Sequence, residues 1–465
     1  MRPCIGFLVA LFFLSVILGG CSTGAPTRSS ALRVTSGHTL VSTYFSSHGV
    51  SAENVSFVLD EVALLLGDLW IDLPAEPVVI DRQQVQGRQL LLGMGSFPTG
   101  ECRRLRFKLS RIQVGQRPVG ELPDQQIDLP LSQPITFSGG ASLCLFVDWQ
   151  LTAQMAGDAR FTPLFSARGQ DMPLAGDLAY VLCDTDDTLY MVRTDQNIVT
   201  ASIGFTGPLG EIAVDSVRRR LYVVATGDRV IHVVNSDNAR ALDRIALPIA
   251  VSPRHLALSE DGVFAYVTDA ATNQVLQVDL LSGLIARQAT VGLRPERVIY
   301  FNDGDPHIAI SSPIAQRVFV LRGDTLELER EIPAGLEADG LLYYADRLFV
   351  SERGSQSVTV FDFYTGRQLA RISVGFEPSD LIESDGRIFV SNAGDGSLSV
   401  FYAGQNTTAR RIQVGVGPGD LAVSSRRRML YVADRENLSL SVLDLSGERI
   451  KAEVPRVVGD LAVLR

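Results

Sequence analysis

From about residue 176 onward, apolar and polar positions alternate in short runs, the period of two expected of half-buried strands. One run recurs: LAYVL (178–182), LYVVA (221–225), AYVTD (265–269), IAISS (308–312), LFVSE (348–352), IFVSN (388–392) and LYVAD (430–434). Its corresponding residues Tyr180, Tyr222, Tyr266, Ala309, Phe349, Phe389 and Tyr431 stand 42, 44, 43, 40, 40 and 42 positions apart. A second strand follows each, as in VLQVD (275–279) and VTVFD (358–362). Turns such as Asp279 to Gly283 come next, then a third strand ending in phrases like RISVG (371–375). A short fourth strand closes the unit, as in DLIES (380–384) and DLAVS (420–424). Four short strands per unit, seven times over, predict a seven-bladed β-propeller. Residues 460–464 (DLAVL) are of the fourth kind. They are expected to complete the first blade beside residues 178–182, leaving no open edge.

Ahead of the repeats, residues 38–168 carry further strand patterns. In LRFKLSRI (105–112), Leu105, Phe107 and Leu109 alternate with Arg106, Lys108 and Ser110. Leu143, Leu145, Val147 and Trp149 form another apolar face. Turns such as Phe97-Pro98-Thr99-Gly100 separate these segments, and the pattern reads as a β-sandwich. The fold class expected is therefore all-β: an N-terminal β-sandwich (38–168) followed by a seven-bladed β-propeller (169–465).

The first residues follow a different pattern. Arg2 precedes an almost wholly apolar run from Ile5 to Leu18, too short to span a bilayer comfortably and suited to a signal segment. Leu18-Gly19-Gly20-Cys21 follows, and it resembles a lipobox. The resemblance implies cleavage after residue 20 and acylation of Cys21, with Ser22 next to it resembling export to the outer membrane. Two or three acyl chains anchor stably where one does not. Residues 21–37 are small and polar and read as a lipidated tether.

The formal charge is −10, and removing residues 1–20 takes Arg2 with it, leaving −11. That balance argues against nucleic acid and against attraction to anionic headgroups. Of five cysteines, Cys4 leaves with the signal and Cys21 is lipidated. Cys102 and Cys144 share the N-terminal domain, and either a disulfide or two buried thiols suits an oxidising compartment. Cys183 reads as a small core residue. Five histidines and no CxxC leave no metal or cofactor site expected. The Asp-rich turn CDTDD (183–187) lacks a repeated calcium-ligand pattern and reads as solvated. His232 is expected on an outer face and His307 in a turn.

The phrases AYVTDAATNQVLQVDLLSG and GRIFVSN resemble the YVTN family of β-propellers over residues of about 176–465. Blade four (PHIAISSPIAQRVFVL) fits least well and is the place for a distortion or specialisation. The N-terminal stretch beginning NVSFVLDEVALLL resembles an uncharacterised β-sandwich family that follows lipoboxes. Neither resemblance carries an activity.

One constellation stands out. The residues opening the fourth-type strands are Glu211, His255, Arg297, Gly340 after Asp339, Asp380, Asp420 and Asp460. Equivalent positions ring one mouth of a propeller channel. Four or five carboxylates there would focus a negative potential on a cation or a basic segment. Acceptance of backbone amides by those carboxylates is the simpler expectation. The functional expectation is a non-catalytic binding or scaffold lipoprotein of the bacterial envelope, its partner an envelope protein or polysaccharide. A propeller lyase or oxidoreductase is the alternative; it would need converging acid, base or cofactor residues.

Overall fold

The structure is a computed structural model that describes residues 32–49, 55–114, 117–118, 125–150, 164–174, 176–455 and 460–463. The signal segment, Cys21 and most of the tether lie outside the described residues. Among those described, no helix is long and apolar enough to cross a membrane.

The propeller has seven four-stranded antiparallel blades. The strand that opens with the ring position is innermost in its sheet, and the YVTD-like strand pairs next to it. Blade 2 (Leu209–Asp215, Arg220–Ala225, Val230–Asn235, Ala241–Ala246) shows the order. Blade 1 takes its three outer strands from Leu178–Cys183, Thr188–Arg193 and Ile198–Gly204 and its innermost from Asp460–Val463. Asp460 pairs with Leu182 and Val463 with Ala179, so the ring closes between the two ends of the repeat region.

The recurrent tyrosine has a physical role. Tyr180 and Tyr266 are buried between blades. Tyr180 donates its hydroxyl to Ser236 O (3.0 Å) and Tyr266 to Gly323 O (2.8 Å), each acceptor in the following blade's third-to-outer turn. The outer strands of blades 2 to 7 are largely exposed, and six of all seven outer strands carry a register shift against the third strand. Such bulges twist an edge out of shape for pairing with another chain. Blade 4 has all four strands; its first two pair in unbroken register from Val298 to Asn302.

The strands of the N-terminal domain join into one nearly closed, barrel-like sheet. The order runs 69–73, 55–66, 100–114, 125–137, 164–169, 141–150, 38–48, 89–98. Its two ends nearly meet: a Cβ on Gly93 would lie 2.8 Å from Pro74 O, so only glycine permits the approach. One core fills the interior, with Phe57 5.1 Å from Trp149 and Phe107 5.1 Å from Phe165, both edge-on. The alternation in LRFKLSRI places Leu105, Phe107 and Leu109 inside.

Strands His38–His48 and Ala141–Gln150 are buried on both faces. Val41, Phe45, Leu145 and Trp149 point into the barrel, while Tyr44, Cys144 and Phe146 pack against blade 1. This arrangement decides between the two readings of Cys102 and Cys144, in favour of two buried thiols. Cys102 lies in the barrel core and Cys144 in the propeller-facing cluster, so their side chains leave opposite faces of the sheet. Both are free thiols, pushed up by burial to about 11 and about 12 respectively.

The barrel covers the outer edge of blade 1 with two glutamine side chains. Gln89 Oε1 accepts Val199 N–H (2.9 Å), and its Nε2 donates to Val199 O (3.2 Å). Gln170 repeats the device at Ser202, accepting its N–H (3.0 Å) and donating to its O (3.3 Å). Each primary amide thus imitates a neighbouring strand, and the edge is satisfied.

Candidate functional site: the channel mouth and its rim

Four of the loops from an outer strand to the next inner strand turn on a buried side chain that ends the YVTD-like strand. Asp269 accepts the amides of Val251 (2.6 Å) and Ser252 (3.0 Å). Asp434 accepts those of Val416 (2.7 Å) and Gly417 (3.1 Å). Glu352 and Asn392 hold Gly335 and Gly375 in the same way. In blades 3, 5, 6 and 7 the last letter of the repeated phrase is therefore a loop anchor, a role that sequence reasoning missed although Asp, Glu or Asn stands there in all four.

These anchored loops deliver the ring residues to the channel. Arg297, from blade 4, reaches across it: Nη1 lies 3.4 Å from Glu211 Oε1 of blade 2, and Nη2 pairs with Asp420 of blade 7. Arg435 Nη2 sits 3.0 Å from the other Asp420 oxygen. His255 Nδ1 is 3.3 Å from Glu211 Oε2, and its Nε2 is 3.7 Å from Glu296. Asp339 stands 3.8 Å from Arg353. Two carboxylates also tie neighbouring blades, since Glu211 accepts Leu256 N–H (2.6 Å) and Asp380 accepts Leu421 N–H (2.9 Å). The backbone of Asp460 joins the ring through its pairing with Leu182; its side chain lies outside the described residues.

The electrostatics differ from a ring of open carboxylates. Burial alone would lower the Arg297 pKa, but Asp420, Asp380, Glu211 and Asp339 hold it well above the usual guanidinium value. Burial also disfavours a charged His255, yet Glu211 and Glu296 outweigh it and raise the imidazole to about 9. Asp380 is raised to about 6 by burial, with Asp420 adding to the rise and Arg297 opposing it. The mouth is a largely self-neutralised ionic plug. Its carboxylates are engaged with Arg297, His255, Arg435 and backbone amides, so the focused negative potential is not what the geometry builds.

Around the plug runs a second pattern. Val251, Leu293, Leu336, Phe376 and Val416 each stand four residues before a ring position, and each is 52 to 59% exposed. Before Glu211 the corresponding residue is Gly207, and before Asp460 it is Arg456, outside the described residues. The sequence held this signal in phrases such as GFEPSD and GLRPER.

The remaining candidates are not drawn to the mouth. The Asp-rich turn is solvated only at Asp184 and Thr185; Asp186 and Asp187 are buried, with Asp187 3.3 Å from Arg33 and Asp186 accepting the Tyr190 hydroxyl (2.8 Å). His232 packs on Phe205 at 4.9 Å, and burial lowers its pKa, so it is not an open outer-face residue. His307 is buried between Asp303 and Glu329, each 3.0 Å away, and stacks on Phe301. Among the described residues no group of three or more His, Cys, Asp or Glu could hold a metal ion. A cleft of about 460 Å³ lies between the barrel and blades 1 and 2, but Ser142 and Ser202 in its wall bond each other (3.0 Å).

No family model and no curated protein matches the chain. Solved structures do resemble it. A functionally unknown protein from Desulfotomaculum acetoxidans DSM 771 has a TM-score of 0.56 at 13% identity, over 62% of this chain and 99% of that one. Kuenenia stuttgartiensis hydrazine synthase gives a TM-score of 0.46 at 18% identity, over 54% and 87%. The dihydro-heme d1 dehydrogenase NirN, in complex with DHE, gives 0.49 at 14%, over 60% and 64%. At these identities the likeness is one of fold. The chain thus carries a seven-bladed β-propeller behind a barrel-like domain.

Proposed function

We propose that the protein is a lipoprotein of the bacterial cell envelope, anchored through Cys21, whose propeller is a non-catalytic binding or scaffold module of the YVTN kind. The observation that supports this best is the ionic plug at the channel mouth. Arg297 bridges Glu211 and Asp420 across it, which leaves the loop-built faces of the propeller as the surfaces for recognition. Recognition then works by complementarity of loop-built faces, with an envelope protein or polysaccharide as partner.

Affinity capture from detergent-solubilised native membranes tests the reading. The intact protein serves as bait and Cys21→Ala as the control. Reproducible retention of one envelope protein or glycan is the expected result. Recovery of the bait and lipid alone overturns the scaffold role.

A further inference from the structure

The apolar rim lies on one face of the propeller. In an antiparallel four-stranded blade, the loop entering the inner strand and the turn between the second and third strands leave at the same end. All five rim residues belong to the former class. In blade 1 the turn between second and third strands is 184–187, and this is where the described chain begins. Val34 N–H donates to Asp186 O, Arg33 pairs with Asp187, and Gly140 of the barrel abuts Thr206 in the adjoining loop. Leu32 is thus placed at the rim's face. The segment from Cys21 to Leu32, eleven residue steps, reaches at most about 40 Å when extended.

We propose that this rim is a lipid-docking surface: Val251, Leu293, Leu336, Phe376 and Val416 enter the headgroup–acyl boundary of the bilayer that holds the acyl chains of Cys21. The inference rests on the lipoprotein reading above. Three features select lipid over a protein partner. The five side chains stand one per blade around a charged centre, whereas a protein interface concentrates its apolar anchors in a continuous middle. A fluid bilayer accepts isolated side chains without a matching partner surface. The described chain also begins at this face, which favours its presentation to the bilayer over that of the opposite face.

Flanking charges carry both signs, with Arg294 and Arg353 beside Glu337 and Glu377, which suits zwitterionic headgroups. The opposite face, with exposed Val217, Leu281 and Tyr364, is left to the envelope partner.

The test uses full-length protein from a lipoprotein-processing bacterium, reconstituted into phosphatidylcholine vesicles brominated along the acyl chains. Phe376→Trp and Leu336→Trp report on the rim and Tyr364→Trp on the opposite face. The wild type supplies the background of Trp70 and Trp149. Intact mass establishes acylation of each sample, and thermal unfolding establishes folding. Most of the added emission at 376 and 336 is expected to be quenched, with none lost at 364. Adding Leu293→Asp and Val416→Asp is expected to restore emission at 376 with unfolding unchanged. Acylated protein with unquenched 376 and 336 overturns the docking surface alone and returns the rim to a protein partner. Protein carrying no acyl chain overturns the lipoprotein reading, and this proposal with it.

Discussion

Arg297 stands where blades 2, 6 and 7 carry a carboxylate, blade 3 a histidine and blade 5 a glycine, and it bridges blades that are not adjacent. Removing its charge would take from the buried Glu211 and Asp420 the cation they share, leaving them His255 and Arg435 respectively. Arg297→Met is therefore expected to destabilise the protein by about 3–5 kcal/mol, read from urea unfolding. Asp380 and His255 give opposite pH signatures. Asp380 is raised to about 6 in the folded state from an ordinary value near 3.9. Its contribution is complete below about pH 4 and is lost as pH rises through about 6. Asp380→Asn keeps the acceptor for Leu421 and is expected to raise the urea midpoint at pH 8 and leave it nearly unchanged at pH 4. His255 is raised to about 9, so its contribution is complete below about pH 6.5 and is lost as pH rises through about 9. His255→Gln should lower Tm at pH 6 and have little effect at pH 10. The ring was legible from spacing alone, because equivalent positions in repeats meet at one mouth. Its charge state was not, since pairing across the channel depends on the reach of one arginine.

At the scale of elements, edges are the recurring problem, and this chain solves them in two ways. Six outer strands bulge, all but that of blade 6, and the outer strand of blade 1 is in addition covered by Gln89 and Gln170. Gln89→Ala should leave buried Val199 backbone groups unpaired and cost about 1–3 kcal/mol. Amide hydrogen exchange at Val199 is the local measurement, and an unchanged rate would refute the edge-capping role. The strands themselves were readable in the alternation of LRFKLSRI and of every blade. The docking of barrel on blade 1 was not, because Gln and Ser between apolar residues look like a solvent face. In Leu40 to Tyr44 and Ser142 to Phe146 that polar-looking face is buried against another domain. The choice between a disulfide and two buried thiols stayed open for the same reason: sequence places Cys102 and Cys144 in one domain but does not say which side of a curled sheet each faces.

For the whole molecule, period and register alone pointed to seven blades and to closure by the last repeated strand. Residues 460–463 pair with 179–182 to complete blade 1. Truncation after Pro455 is expected to lower Tm and broaden the unfolding transition throughout the ring, as read by calorimetry. A narrow transition at the wild-type Tm would show that closure contributes little. What sequence left open was the curl of the N-terminal sheet, since inward and outward alternation is the same in a sandwich and in a barrel.

Closure has a consequence for how such a chain is made. A polypeptide synthesised or threaded through a pore from its N-terminus offers Leu178–Cys183 long before its innermost partner exists. Until residues 460–463 arrive, blade 1 waits with three strands and an unmatched backbone, and the search that joins them spans about 280 residues. The barrel's glutamines cover only the other side of that blade. A nascent chain therefore spends its synthesis with one unpaired strand edge on the inner side of blade 1, a site open to a chaperone until the last strand arrives.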